Sequence, residues 1–330
     1  MPLGWPTLSL HPQKDPHMAD HWAPSAQIAT LKMRHDLMRR LRAFFDQKGL
    51  LEVETPILSA HATPDVHLAS IETRFGYLHT SPEYPMKRLL AAQAGAIYQI
   101  CKVFRAEESG SNHNPEFTLL EWYQPGWDDQ QLSEQVVALL QHLGLDRNSQ
   151  YLSYREAFTA TLGIDPLSAS LATLRELAGE LLGQPCDDYD RNTCLDVAMS
   201  FGVERKLDPN LITVISDFPA AQAALAIKEQ QPDGFWTAKR FEVYCGGLEL
   251  ANGYAELTDA QEQLARFEAE NRDRQTRNLP IMPIDTHLID AMKAGIPACA
   301  GVAVGVDRVI MLCLGKKHID DVLSFPIARA

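Results

Sequence analysis

An arginine closing an alternating run is the first residue whose chemistry needs explaining. Tyr98, Ile100, Lys102 and Phe104 share one face of an expected strand, so Arg105 projects from the other. In an apolar setting its planar fork seeks an anion, and it can serve a phosphate and a carboxylate together. An ion pair with Glu107 or Glu108 is the competing reading. Near the C-terminus Gly301, Ala303 and Gly305 alternate with valines, leaving one strand face without bulky side chains, where a ligand can lie against backbone. Arg308 follows at the start of an expected helix, where backbone N–H groups and a guanidinium can meet one phosphate. A small-residue strand packed under a helix would look the same. Between these segments Glu249 and Glu256 flank Asn252-Gly253, a strong two-residue turn signal. In a tight hairpin the two carboxylates would face each other, which calls for Mg²⁺ or an ammonium group beside them. A solvated acidic edge is the alternative.

Taken with Glu116-Phe-Thr-Leu-Leu-Glu-Trp-Tyr123, the Phe104-Arg-Ala-Glu107 segment resembles motif 2 of the class II aminoacyl-tRNA synthetases. Gly301-Val-Ala-Val-Gly-Val-Asp-Arg308 is similar to their motif 3, and the helical residues 38–45, Gly49 and the extended residues 51–58 to their motif 1. The resemblance implies an adenylate-forming enzyme that uses ATP and Mg²⁺. By the same resemblance, Arg105 holds the α-phosphate and the amino acid carboxylate, and Arg308 the γ-phosphate. Phe117 stacks on adenine with Arg308 on its other face. Ala106, Glu107 and Asn114 line the nucleotide, with His113 a further candidate on that loop. Glu249 is the expected Mg²⁺ ligand with Glu256 as a second metal candidate, Leu250 lends backbone, and Gly305 allows close approach.

Residues 247–259 and Thr80-Ser-Pro-Glu-Tyr-Pro-Met-Lys87 are close to the lysine-type pattern of the family. Aspartate-type members carry glutamine where Glu83 stands, so the implied amino acid is cationic. Ser81, Pro82 and Glu83 are then expected around the amino group near the carboxylate, and Tyr123, Asn252 and Glu256 around the distal ammonium. Ala303 occupies a position where the lysine-type pattern has glycine, and its methyl is read as reshaping the pocket floor toward a β-amino acid. No histidine is marked clearly enough to name as a base for the transfer step.

Lysyl-tRNA synthetases carry an anticodon-binding OB-fold ahead of motif 1. Here only some thirty residues precede the motif 1 helix, and with Pro2, Pro6, Pro12, Pro16 and Pro24 among them they are not expected to form a five-stranded barrel. The whole pattern resembles the stand-alone lysyl-tRNA synthetase paralogues that lack this domain. That implies lysine or (R)-β-lysine as amino acid, a lysine of elongation factor P as acceptor, and a homodimer. A truncated synthetase acting on a nucleic acid or small molecule, and a silent regulatory paralogue, are the competing readings. Retention of Arg105, Glu107, Glu249 and Arg308 argues against the silent one.

The elements that must position these residues follow from pattern and composition. With 330 residues and 45% hydrophobic content, one catalytic domain over residues 25–330 is expected, with 1–24 a disordered tail. The fold implied is α+β, a mostly antiparallel sheet flanked by helices. A capping box at Ser153-Tyr-Arg-Glu156 opens a helix that stops near Gly163, and another helix is expected over 171–182. Strands are expected over 211–215, ended by Asp217-Phe-Pro219, and over 241–244, with a surface helix over 260–277. A net charge of −13 argues against an extended tRNA footprint. The absence of an 18-residue apolar run, and of a basic-then-apolar N-terminus, points away from a membrane and toward the cytoplasm. Six singly scattered cysteines read as reduced core thiols.

Overall fold

The computed structural model describes residues 22–330; of the expected tail, positions 1–21 lie outside the described residues. Backbone from Ala23 onward is already tied to the other end of the chain. Arg329 donates to Ala23 O and the Ser25 N–H to Ser324 O.

Helix α1 (Ile28–Gln47) buries Leu37, Leu41, Phe44 and Phe45 on one face, the three-to-four spacing of an amphipathic helix. It ends where Gly49 takes φ +73°, a conformation glycine adopts without penalty. Short strands β1 (Leu51–Glu52), β2 (Leu58–Ser59), β3 (Ile71–Thr73) and β4 (Gly76–Leu78) lead to α2 (Glu83–Ala91). The motif 2 hairpin is β5 (Ile97–Phe104) and β6 (Glu116–Pro125), followed by α3 (Asp129–Leu143) and β7 (Ser149–Ser153). A helical insertion then supplies α4 (Tyr154–Leu162), α5 (Leu171–Leu182) and α6 (Arg191–Val197), the last continuing into a π-helical turn. Strands β8 (Ile212–Pro219), β9 (Lys228–Gln230), β10 (Trp236–Cys245) and β11 (Leu248–Ala255) return to the sheet. After α7 (Ala260–Thr276) and α8 (Thr286–Gly295), motif 3 is β12 (Cys299–Gly305) running into α9 (Val306–Cys313).

The main sheet runs β1-β5-β6-β12-β11-β10-β8-β7, with β9 also on β10. Within it β1–β5 and β7–β8 pair in parallel, and the other pairs are antiparallel, the α+β arrangement expected. Strand alternation sorts the central residues by face. Leu120, Trp122, Val302 and Val304 pack into the core with α1, α3 and α9. Glu121, Tyr123, Gly301 and Ala303 therefore point to the opposite face. One end of that face is covered by α2, α7 and α8 through Met86, Leu90, Phe267 and Leu288, and the other by the insertion through Tyr154, Phe158 and Leu195.

Two strand expectations are corrected. β8 does end at Pro219, but Asp217-Phe218-Pro219 belongs to it and does not stop it short: Asp217 takes φ +56°, and a register shift in β10 between Ala238 and Phe241 absorbs it, so pairing resumes to Pro219. The β10–β11 hairpin does not turn at Asn252-Gly253. It turns at Gly246-Gly247, with φ of +62° and +78°. Asn252 and Gly253 lie within β11, opposite Glu242 and Phe241. Gly253 is required by packing, because a Cβ there would stand 2.5 Å from the Phe241 ring. Glu249 and Glu256 consequently sit at the two ends of one strand and do not face each other across a hairpin.

The cysteines are free, four of them buried. No helix among the described residues is long and apolar enough to cross a membrane.

Candidate active site

A cavity of about 230 Å³ opens between the motif 2 loop and motif 3, bringing together Arg105, Glu108, Asn114, Phe117, Glu249, Gly305 and Arg308. Arg105 emerges just past the end of β5, its N–H bonded to Pro115 O. Its guanidinium pairs with Glu108 at 2.8 Å and lies over the Phe117 ring at 5.1 Å. The ion pair is therefore made with Glu108, while the buried Arg105 Nε has no partner. The guanidinium found against Phe117 is that of Arg105. Arg308, in the first turn of α9, instead donates to Glu249 O, Asn112 O and His113 Nε2. Burial, then Arg308, holds the His113 imidazole below its ordinary pKa, so it accepts from the arginine as a neutral ring. Asn114 is fixed by donating to Glu116 O and accepting from the Ile327 N–H. Ala106 and Glu107 are exposed and do not line this cavity.

Leu250 turns its side chain into the core, because a bulge between Val243 and Tyr244 reverses alternation in β11. Its carbonyl lies 4.0 Å from where a Gly305 Cβ would stand, so both residues offer backbone at the cavity wall.

Register places the second half of the site beside the first. Asn252, Ala303 and Glu121 form one cross-strand row, and Tyr254, Gly301 and Tyr123 the next. Ala303 lies on the boundary: it lines the cavity and neighbours Glu121. Beyond it, Glu121 accepts from Ser81 Oγ and Tyr123 Oη, each at 2.6 Å. Burial, then Glu83, pushes the Glu121 carboxyl up to about 8, against the pull of those two hydrogen bonds. Lys87 pairs with Glu83 at 2.7 Å and with Glu256 at 2.5 Å. Burial, partly offset by Lys87, raises Glu256 to about 7. Gly301 is indispensable here, since a Cβ would meet Tyr123 Cε1 at 2.3 Å and Glu256 Oε1 at 2.4 Å. Pro82 precedes α2 and accepts the Met86 N–H. Asn252 lines the arginine-framed cavity and donates to Glu242, away from the Glu256 end.

The acidic pair able to share a metal is therefore not Glu249 with Glu256. Glu249 is raised to about 7 by burial and next by Glu242, a residue of β10 that sequence reasoning missed. Glu242 also accepts from Arg240, Tyr244 and Asn252. Among the described residues no group of three or more His, Cys, Asp or Glu is arranged to hold a metal alone. Glu249 lines both the arginine-framed cavity and a second one, and Glu242 lines only the second; such a pair suits Mg²⁺, which takes few protein ligands and completes its shell with phosphate and water. A second cavity of about 590 Å³ shares Glu249 and carries Asp196, Glu204, Glu242 and Glu270.

Lys87 and Glu121 were missed as well. Each had a signal: Lys87 falls one helical turn after Glu83, and Glu121 is two residues before Tyr123, on the same strand face.

The family described as tRNA synthetases class II (D, K and N) matches residues 18–329. A Yersinia enterocolitica protein named elongation factor P--(R)-beta-lysine ligase is 49% identical, over 94% of this chain and 98% of that one. Proteins of the same name from Vibrio atlanticus and Klebsiella pneumoniae are 47% and 49% identical, over 95% and 94% of this chain and 100% and 98% of theirs. The chain belongs to the class II tRNA synthetase family of the D, K and N type.

Proposed function

We propose that the chain activates a lysine-type amino acid, (R)-β-lysine, with ATP and transfers it to the ε-amine of a lysine on elongation factor P. The carrying observation is the continuity of the two half-sites across Ala303, with Arg105 at the nucleotide side and Glu83, Glu121 and Glu256 at the other. In the first step a carboxylate oxygen bonds to the α-phosphorus and the bond to pyrophosphate breaks. Arg105 and Arg308 neutralise the charge, and the first step needs no protein base because a carboxylate is already a nucleophile. Glu249 with Glu242 would hold Mg²⁺, which would supply further charge neutralisation. In the second step the acceptor nitrogen bonds to the acyl carbon, AMP leaves with the bonding pair, and the amine sheds a proton.

Exposed Ile28 and Met33 on α1, with Leu51 and Leu58 beyond it, offer an apolar surface for a second copy along motif 1. Residues 25–330 act as one catalytic domain.

The test is ATP–pyrophosphate exchange with each lysine isomer. Wild-type protein should exchange, and Arg105→Ala should lose at least about a hundredfold while staying folded. No exchange by the wild type with any isomer overturns the adenylation reading.

A further inference from the structure

The carboxylates of the amino acid pocket do not stand alone. Lys87 is 1% exposed, yet its ammonium reaches Glu83 and Glu256 at once. Helix α2 places Lys87 one turn after Glu83 on the same face. Glu256 is fixed from the other side by its N–H bond to Cys299 O, so the lysine ties α2 to the ends of β11 and β12. A buried lysine is costly unless paired and hydrogen-bonded, and here both partners are residues implicated in recognising substrate. Burial opposes its charge, but Glu256 and Glu83 outweigh burial and hold its pKa above the ordinary value.

We propose that Lys87 is a positioning residue that sets the specificity of the pocket, bracing Glu83 and Glu256 and leaving two negative charges for a substrate with two ammonium groups. The inference rests on the lysine-type reading above. Glu83, Glu121 and Glu256 supply three carboxyl groups and Lys87 offsets one; the arrival of two ammonium groups draws the proton off Glu121, so that two negative charges meet them. The substrate's own carboxylate goes to Arg105 and leaves this balance unchanged. An amino acid with an apolar side chain would leave one buried carboxylate uncompensated, which a buried site penalises heavily. Without Lys87, three carboxylates share a site built for two cations; such groups resist joint ionisation, and the brace that orients them is gone.

Pyrophosphate exchange in wild type, Lys87→Gln and Lys87→Arg, titrated separately in amino acid and in ATP, tests the proposal. Lys87→Gln should raise the KM for the lysine-type amino acid about tenfold or more, with the KM for ATP and kcat changed far less. Lys87→Arg keeps the charge but alters the grip, and should fall between the two. Wild-type exchange with an unchanged amino acid KM in folded Lys87→Gln overturns this proposal alone, whereas no wild-type exchange with any isomer overturns the functional reading with it. Should Lys87→Gln not fold, the arginine variant decides. A few-fold rise in amino acid KM at constant ATP KM supports the brace, and two unchanged KM values overturn it.

Discussion

Glu121 carries a charge question that the substrate resolves. Its folded pKa is raised from 4.5 to about 8 by burial and Glu83, so without ligand the folded protein holds a proton there that the unfolded chain releases at lower pH. The sign follows: this group's stabilisation is complete below about pH 4.5 and is lost as pH rises through 8. Glu256 and Glu249, raised to about 7, act in the same direction. Glu121→Gln should therefore flatten the decline in melting temperature of the ligand-free protein between pH 5 and 8.5. An unchanged slope would mean that Glu121 is ionised in the free pocket. Ala303, its cross-strand neighbour, tests isomer choice. Its methyl sits between Glu121 and Asn252, at the boundary of the two proposed half-sites. Ala303→Gly should shift activation toward α-lysine by roughly 10–200-fold, the worth of one methyl-sized change in a pocket. A constant isomer ratio in exchange assays would assign the preference to Ser81 and Glu83 instead.

At the scale of elements, the β10–β11 hairpin separates what glycine does in a turn from what it does in a packed strand. Gly247 takes φ +78° with nothing within 4 Å of a Cβ, so Gly247→Asn, a residue that tolerates this conformation, should cost under about 1 kcal/mol. Gly253 has ordinary strand geometry, but a methyl would meet Phe241 and Val302, so Gly253→Ala should cost about 1–3 kcal/mol by overpacking. Denaturant melts of the two variants check the ranking, and the reverse order would place the turn at Asn252-Gly253 after all. The same contrast explains what was legible. Ser153 and Glu156 form a reciprocal capping box and α4 ends at Gly163, because caps are local and their residues adjacent in sequence. The glycine–valine alternation of β12 was readable for the same reason. The Gly246-Gly247 turn was legible too, but Asn252-Gly253 carried an equally strong signal, and only the neighbouring Phe241 decides between them. The grip of Lys87 on Glu256 and the approach of Glu242 to Glu249 join different elements, and no spacing rule reveals such contacts.

Across the whole molecule, charge bears on the acceptor. The chain carries 30 Lys and Arg against 43 Asp and Glu. Its larger cavity is lined by several more carboxylates than cations. A tRNA acceptor arm presents a dense row of phosphates, and binding it relies on a basic face whose affinity falls steeply with salt. A protein acceptor brings no such row, and its reacting lysine is itself a cation that an acidic surrounding attracts. Incubating the enzyme with ATP, (R)-β-lysine and intact elongation factor P should therefore add the mass of one β-lysyl group to that protein. A parallel reaction with lysine tRNA should show little charging. Replacing the acceptor lysine of elongation factor P with arginine should abolish the mass shift while pyrophosphate exchange continues, because adenylation precedes and does not need the acceptor. Efficient charging of tRNA with no mass change on elongation factor P would sink the protein-acceptor reading and leave the adenylation chemistry standing, with a nucleic acid as the acceptor.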